Sequence, residues 1–305
     1  MNVRVDVVER LDEDRVAAVL SLVEAATETD GVRPLNEQAM LRLRHGGAQG
    51  ARAVLVHEGA DLAGFAHLDP PDPAGPGEGP SGELVVHPAF RGRGLGRRLL
   101  EAVLEESGGR IRLWAHGDHP AASRLAASTG LIRGRSLWQM RRSLATPTPD
   151  PVMPGGVRLR TFETGKDEDA WVALNALAFA AHPEQGAWTI DDIEQREREP
   201  WFDPAGFFLA VRRDGTLAGF HWTKVHRDGE DGAHEPVGEV YVVGVDPAEQ
   251  GTGLGRALTL TGLVHLRSLG LPQVMLYVDE ENHAAVRLYE SLGFSRWKTD
   301  VMYRR

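Results

Sequence analysis

Apolar and polar residues recur at helix and strand spacing in two successive stretches of this 305-residue chain, and both stretches follow the same order. Apolar residues at i, i+3 and i+4 predict an amphipathic helix first, and short apolar runs joined by glycine-containing turns predict two strands after it. A third strand, a helix, a fourth strand and a last helix follow. In the first half these elements are predicted at 13–26, 53–59, 61–68, 83–86, 95–107, 111–116 and 121–129. In the second half they are predicted at 167–181, 207–215, 216–225, 238–245, 254–269, 273–279 and 284–292. This order predicts an α/β (α+β) fold in which helices flank a central mixed sheet in each half.

The two halves also match in sequence. The segment "LVVHPAFRGRGLGRRLL" (84–100) matches "VGVDPAEQGTGLGRALT" (243–259) at an offset of 159, and residues 113–131 match residues 276–294 at an offset of 163. Ordered blocks with small insertions between them are typical of a duplicated domain. Between the halves, "ATPTPDPVMPGG" (145–156) holds four prolines and two glycines, which disfavour a helix or a central strand. We therefore predict tandem domains at 1–144 and 157–305, joined by a linker at 145–156.

Composition narrows the classes of function. The formal net charge is −10, which disfavours nucleic acid as a partner because nucleic-acid binders need a basic surface. The chain has no cysteine, so disulfides, thiolate metal sites and an acyl-cysteine intermediate are excluded, and we expect no metal. No apolar run approaches the roughly 20 residues of a membrane span, and the N-terminal segment has no signal-peptide pattern. We expect a cytoplasmic monomer with no membrane partner. His116 and His119 stand beside a turn-forming glycine and proline, which predicts exposed loop histidines.

In both halves a glycine-rich loop leads from a strand directly into a helix. The loops "EQGTGLG" (249–255) and "FRGRGLG" (90–96) leave the first main-chain N–H groups of the helix without side chains in front of them. These N–H groups and the helix dipole together bind anions, which suits a pyrophosphate. The acidic residue of a dinucleotide-binding fold and the G-K-[ST] of a P-loop are absent from this context. A plain tight turn is the remaining alternative, and two copies in the same setting disfavour it.

These loops, together with the later "NHAAVRLYESLGF" (282–294), resemble the GNAT acetyltransferase superfamily over nearly the whole chain. The resemblance implies that acetyl-CoA is the co-substrate, that the loop binds its pyrophosphate, and that a splayed, bulged strand binds its pantetheine arm and acetyl carbonyl. Gly244 is the expected place for the bulge or for a close backbone approach. The implied cofactor-binding residues of the second half are Val243, Gly244, Val245, Gln250, Gly251, Thr252, Gly253, Leu254, Gly255, Arg256, Asn282, His283, Ala284, Ala285, Val286 and Arg287. Those of the first half are Leu84, Val85, Val86, Arg91, Gly92, Arg93, Gly94, Leu95 and Gly96.

The acceptor is suggested by a narrower resemblance. The segments "HPEQG" (182–186), "WTKVH" (222–226) and "GEVYVVGVDP" (238–247) resemble actinobacterial tandem GNAT enzymes that acetylate the cysteinyl amine of cysteinyl-glucosaminyl-inositol. The resemblance implies an acceptor site made by Glu37, Glu184, Lys224, Glu239 and Tyr277. Two alternatives stay open: an acetyltransferase for another small amine, and a non-catalytic protein that senses acyl-CoA.

Two residues of the second half are candidates for proton transfer. Glu239, at the start of the strand before the loop, could take a proton from the ammonium group of the acceptor, although an exposed strand-end glutamate is the commoner case. Tyr289, seven residues after Asn282, could protonate the departing thiolate of CoA with its phenol, or could simply pack in the core. Both roles are compatible for the same tyrosine.

The first half lacks both candidates when the halves are aligned at constant offset. Pro80 then matches Glu239, Ala126 matches Tyr289, and His119 matches Asn282. Proline cannot act as a base and alanine cannot act as an acid. We therefore predict that the first half binds acetyl-CoA or CoA without turnover and has a structural role, while catalysis resides in 157–305.

Overall fold

The computed structural model describes residues 3–45, 50–71, 79–180, 182–227 and 235–305, without the side chains of His45, Pro183 and Glu184. The chain divides into two compact units. Unit 1 comprises Met1–Trp138, Asp279–Glu281 and Lys298–Arg305; unit 2 comprises Gln139–Val278 and Asn282–Trp297. The domain limits at 144 and 157 stay a prediction, to which the structure adds that residues 298–305 belong to unit 1.

Unit 1 combines four helices with a mixed sheet. Its helices are α1 (Glu13–Asp30), α2 (Glu37–His45), α3 (Leu95–Glu106) and α4 (Pro120–Ser128). Its strands are β1 (Val3–Val8), β2 (Arg52–Glu58), β3 (Asp61–Asp69), β4 (Ser81–Val86) and β5 (Arg112–Ala115), with residues from β6 (Ile132–Ser143) and β12 (Ser295–Arg304). Helix α1 begins where the Asp12 side chain accepts from the Arg15 N–H, and it ends at Gly31, whose φ of 64° is left-handed.

The sheet of unit 1 has the order β1-β2-β3-β4-β5-β12. Strands β4 and β5 are parallel but pair only from Ser81↔Arg112 to Glu83↔Trp114. On its other side β4 stays paired with β3 as far as Val86. Beyond Glu83, one edge of β4 therefore has no strand partner. The C-terminal strand β12 pairs antiparallel with β5, from Val301↔Ala115 to Arg304↔Arg112.

Unit 2 repeats this plan. Its helices are α5 (Glu168–Ala178), α6 (Pro183–Gly186), α7 (Ile190–Glu197), α8 (Leu254–Ser268) and α9 (His283–Ser291). Its strands are β7 (Val157–Thr161), β8 (Phe207–Arg212), β9 (Leu217–His226), β10 (Val237–Val245) and β11 (Gln273–Asp279), with the end of β6. The strand order is β6-β11-β10-β9-β8-β7.

The core of unit 2 lies on both faces of this sheet. On one face an aromatic cluster joins Trp171 of α5 to Phe207, Phe220 and Trp222 of β8 and β9, and all four side chains are fully buried. On the other face Leu254 and Leu258 of α8 pack against the strands. Burial of such large side chains contributes about 1.5–3 kcal/mol each and fixes the two faces of the central strands.

Among the helices of the described ranges, none is both long and apolar enough to cross a membrane.

Candidate functional site

The centre of unit 2 is a gap between two parallel strands. Strands β10 and β11 pair from Val237↔Gln273 to Val240↔Leu276 and then separate, while β9 stays paired with β10 as far as Val245. The predicted pantetheine-binding residues Val243, Gly244 and Val245 lie in this part of β10. Within the described part of the chain their outer edge has no strand partner, so its main-chain groups are available to a ligand.

The expected bulge lies elsewhere on the strand. The register between β9 and β10 shifts between Val240 and Val242, so Tyr241 is the extra residue and the prediction of a bulge at Gly244 was wrong. A close approach does occur at Gly244, because a Cβ there would lie 2.6 Å from Cζ of Phe220. Glycine is therefore required at position 244 because the core ring of Phe220 leaves no room for a Cβ. The bulged Tyr241 is held by Arg196, whose Nε donates to the tyrosine hydroxyl at 2.7 Å.

The glycine loop of unit 2 leads into α8 as predicted. Gly251 and Gly253 have φ values of 79° and 89°, which favour glycine, and the space where their Cβ atoms would stand is empty. Gly253 is the N-cap of α8 and forms no side-chain cap. Within the described residues, the main-chain N–H groups of Gly253, Gly255 and Arg256 have no backbone partner. The loop therefore presents unpaired donors at the positive end of a 15-residue helix, which is the arrangement that binds phosphate.

The predicted wall residues 282–287 form the start of α9. Asn282 is its N-cap, and its Oδ1 accepts from the Ala285 N–H at 3.1 Å. Helix α9 then carries the candidate acid Tyr289, which is 7% exposed and stacks edge-on against Phe294 with ring centroids 5.8 Å apart. Burial raises the pKa of Tyr289 to about 12, so the phenol stays protonated over the whole neutral range.

Glu239 is a buried residue. It is 5% exposed, so the alternative of an exposed strand-end glutamate was wrong. Its position in β10 lies directly opposite Lys224 of β9, so the two side chains share one face of the sheet. On the same face, Oε2 of Glu239 lies 2.6 Å from Nε2 of His226. The candidate base is thus desolvated and held by a partner that the sequence reasoning missed.

The other residues predicted to bind the acceptor lie on four different elements of secondary structure. The Lys224 Nζ lies over the rings of Trp201 and Tyr241, at 4.3 and 5.3 Å from their centroids. The Tyr277 hydroxyl accepts from Gln139 at 2.9 Å, and its ring is 41% exposed. Glu184 lies in α6, and its side chain is outside the described residues. Glu37 is the first residue of α2 in unit 1.

Unit 1 contains a cavity of about 320 Å³ between its own separated strands. All the first-half residues predicted to bind CoA line this cavity except Arg93. Tyr303 and His116 also contribute to the lining. Two arginines of the glycine loop of unit 1 are paired with carboxylates, which partly neutralises their positive charge. Arg91 pairs with Asp30 at 2.7 Å, and Arg93 pairs with Glu58 at 2.6 Å.

The bulge at Tyr241 also changes how the two halves correspond. Lys224 stands opposite Glu239 in unit 2, and the matching residue of β3, Asp69, stands opposite Ser81 in unit 1. Ser81, rather than Pro80, is therefore the structural counterpart of Glu239. The alignment at constant offset was wrong by one residue at this point, because unit 1 has no bulged residue there. Serine, like proline, supplies no carboxylate.

Unit 1 nevertheless holds a buried ionisable cluster. Nδ1 of His116 lies 2.9 Å from Asp300, its Nε2 lies 3.9 Å from Glu83, and Glu83 accepts from the Asn36 amide. Burial by itself would lower the pKa of His116, but its contacts with Asp300 and Glu83 raise the pKa to about 10. The prediction that His116 is an exposed loop histidine was wrong. Its partner Asp300 lies 184 positions away in the sequence, so no local pattern reveals it.

Comparison with known protein families supports the duplication of one domain within the chain. The model of the acetyltransferase (GNAT) family matches residues 18–130 and again residues 171–294. A protein of Thermobispora bispora named mycothiol acetyltransferase is 68% identical over 305 residues, with all of both chains covered. A protein of the same name from Streptosporangium roseum is 62% identical over 341 residues, again with all of both chains covered.

Solved structures show the same architecture. A GCN5-related N-acetyltransferase of Sphaerobacter thermophilus is 26% identical with a TM-score of 0.67, and 99% of this chain and 95% of that chain are covered. A tandem GNAT protein from the clavulanic acid biosynthesis pathway has a TM-score of 0.72 at 20% identity, with 99% and 98% covered. The second similarity concerns the fold alone.

Proposed function

The chain belongs to the acetyltransferase (GNAT) family, and we propose that it transfers the acetyl group of acetyl-CoA to the cysteinyl amine of cysteinyl-glucosaminyl-inositol, which gives mycothiol. The observation that carries the proposal is the juxtaposition in unit 2 of an unpaired strand edge, a glycine loop at a helix start and a buried carboxylate. The full-length relatives named mycothiol acetyltransferase support this choice of acceptor.

The donor would lie along the unpaired edge of β10. The loop Gln250–Arg256 would bind the pyrophosphate through its unpaired N–H groups, and the pantetheine arm would run beside Val243–Val245. A main-chain N–H of this edge would donate to the thioester carbonyl and stabilise the negative charge that develops on its oxygen. Residues 282–287 at the start of α9 would form the other wall.

The acceptor would be activated by Glu239. The carboxylate takes a proton from the ammonium group, and the free amine nitrogen then attacks the thioester carbon and forms the new C–N bond. No cysteine exists in the chain to form an acyl-enzyme, so direct attack is the simplest route. When the tetrahedral intermediate collapses, the C–S bond breaks and Tyr289 donates its phenolic proton to the thiolate; the nitrogen loses its second proton as the amide forms, and that proton returns to the Tyr289 phenolate through solvent. Burial raises the pKa of Tyr289 to about 12, so the phenol carries a proton at neutral pH.

Acceptor specificity would come from the polar groups around Glu239. Lys224 beside Trp201 and Tyr241 supplies a cation on an aromatic surface, which suits the hydroxyl-rich rings of the acceptor. Glu37, Glu184 and Tyr277 complete the proposed acceptor set.

In unit 1, the cavity beside Leu84–Val86 and Arg91–Gly96 would hold acetyl-CoA or CoA without turnover.

The direct test is product analysis. Purified protein is incubated with acetyl-CoA and cysteinyl-glucosaminyl-inositol, and mass spectrometry is expected to show one added acetyl group on the cysteinyl nitrogen. A panel of antibiotic amines, polyamines and peptide N-termini serves as the comparison. Faster acetylation of a panel amine would replace the proposed acceptor, and binding of acetyl-CoA with no turnover of any amine would favour the sensor.

Tyr289→Phe should keep the packing against Phe294 and remove the proton. We expect kcat to fall by about 10²-fold, which is typical of a general acid, with little change in the KM for acetyl-CoA. Because the pKa of Tyr289 is raised to about 12, the wild-type phenol is protonated at every pH from 6 to 10, so the deficit should be constant across that range. Turnover at the wild-type rate would mean that Tyr289 only packs.

A further inference from the structure

The partner of Glu239 on the neighbouring strand is His226. Nε2 of His226 and Oε2 of Glu239 are 2.6 Å apart, and each residue is 5% exposed. Both side chains lie on the face of the sheet that carries Lys224, because β9 places residues 224 and 226 on one side. The contact therefore joins the proposed base to a second titratable group at the centre of the candidate site.

The short distance is informative about the hydrogen bond. A base that takes a proton from the acceptor must be an ionised carboxylate, which can only accept, so in the proposed mechanism the Nε2–H of His226 is the donor. A hydrogen bond to a charged group is shorter and stronger than a neutral one. Without a donor, a carboxylate at this depth would be desolvated and uncompensated. Within the described residues, Oε2 has this partner while Oε1 accepts no hydrogen bond.

We propose that His226 is a positioning residue for the acetyl transfer: its Nε2–H holds Oε2 of Glu239 in place and leaves Oε1 to receive the proton of the amine. This inference rests on the proposed role of Glu239. His226 acts through Glu239 and touches neither acetyl-CoA nor the acceptor.

Several other charged or titratable groups share this face of the sheet. They are Lys224 on β9, Tyr241 on β10, Tyr277 on β11 and Arg196 on α7. Arg196 is committed to the Tyr241 hydroxyl and to the main-chain oxygen of Asp192, and Lys224 lies over aromatic rings. None of these residues is replaced in the His226 variants, so a difference in activity between these proteins and the wild type begins at the His226 contact.

The same strand offers a matched control. His221 is also buried in β9, but it lies on the opposite face, where its Nδ1 is 2.7 Å from the Leu258 main-chain oxygen. Burial lowers the pKa of His221 to about 4, so this ring is neutral at working pH. Replacing either histidine by phenylalanine removes a buried hydrogen bond from β9, and of these two bonds the one made by His226 belongs to Glu239.

The test compares His226→Phe, His226→Gln and His221→Phe over pH 5.5–9. We expect His226→Phe to lower kcat/KM for the acceptor by roughly 10- to 100-fold at pH 6.5, within the range of general-base effects. The loss should appear mainly in kcat, because a carboxylate that is no longer held in place takes up the proton less efficiently. His226→Gln keeps an N–H donor and should stay close to the wild-type profile. The KM for acetyl-CoA should change little in all three variants.

His221→Phe should lower the melting temperature while keeping kcat/KM for the acceptor near the wild-type value. In a Glu239→Gln background, adding His226→Phe should change kcat/KM by less than about 2-fold, because a residue that acts through Glu239 has nothing left to position. Wild-type kcat/KM in His226→Phe, or full additivity with Glu239→Gln, overturns the inference. Wild-type activity of Glu239→Gln itself would instead overturn the proposed base, and the inference would fall with it.

Discussion

Gly253→Val is expected to abolish acetyl transfer. Gly253 has a φ of 89° and stands at the N-cap of α8, where within the described residues its own N–H and those of Gly255 and Arg256 have no backbone partner. A β-branched residue is strained in this left-handed region, and its side chain would enter the space that a phosphate needs. We expect loss of measurable kcat/KM, and loss of one of two bound CoA molecules in titration calorimetry or native mass spectrometry.

Two matched variants separate loss of phosphate binding from strain. Gly270 also has a left-handed φ of 78° with open space around it, and it follows the other end of α8. Gly270→Val should therefore destabilise the fold to a similar degree while leaving turnover near wild type. Gly94→Val makes the equivalent change in unit 1, where φ is 79°, and should remove the other CoA but leave substantial turnover. If Gly94→Val is as inactive as Gly253→Val, the prediction that only the second half needs its CoA for catalysis is wrong.

Glu239→Gln is expected to lower kcat/KM by roughly 10²–10³-fold near pH 6–7, the upper range of general-base catalysis. Glutamine keeps the size of the side chain and can still bond to His226, but it cannot accept a proton from the amine. An α-amino group titrates near pH 8 and is mostly protonated at pH 6–7, so the base matters most there. As the pH rises, the acceptor loses its own proton in solution, and the deficit should narrow towards pH 9.

The matched control is Glu83→Gln in unit 1. Glu83 is also buried, and it stands at the last paired position of β4, where the strands of unit 1 begin to separate. If catalysis belongs to unit 2, this variant should keep nearly all of its kcat/KM. A Glu239→Gln deficit that is the same at every pH would mean that Glu239 binds the acceptor, and another group would have to receive the proton.

The sequence was most informative where patterns are local. The helix α8 and the strands β8 to β11 lie within one to three residues of their predicted limits, because alternation, β-branched runs and glycine turns are all local signals. The last strand of each half, β6 and β12, was missed. Segments such as "IRGRSLWQMRRS" and "SRWKTDVMYR" hold many arginines and few adjacent apolar residues, so they become strands only because a neighbouring strand edge is available.

In the candidate site, too, features set by local sequence could be predicted, and features set by the pairing of strands could not. The loop glycines were recognisable because left-handed backbone strongly favours glycine, and their predicted place at a helix start is confirmed. The bulge at Tyr241 could not be located from the sequence, because a bulge is defined by the pairing of two strands. That one residue shifts the counterpart of Glu239 from Pro80 to Ser81. His226 could have been found, because it stands two residues after Lys224 and directly follows the strand predicted at 216–225, so one more residue of strand places both on one face.

The C-terminal strand has a consequence for biosynthesis. Val301–Arg304 complete the sheet of unit 1 beside β5, Lys298 donates to the Gly31 main-chain oxygen, and Asp300 holds His116. During translation, unit 1 can therefore reach its final form only after residues 298–305 have left the ribosome. Until then the nascent chain carries an open β5 edge, which is a site for mispairing and for chaperones. A stop codon that removes these eight residues would damage the part of the protein that is synthesised first.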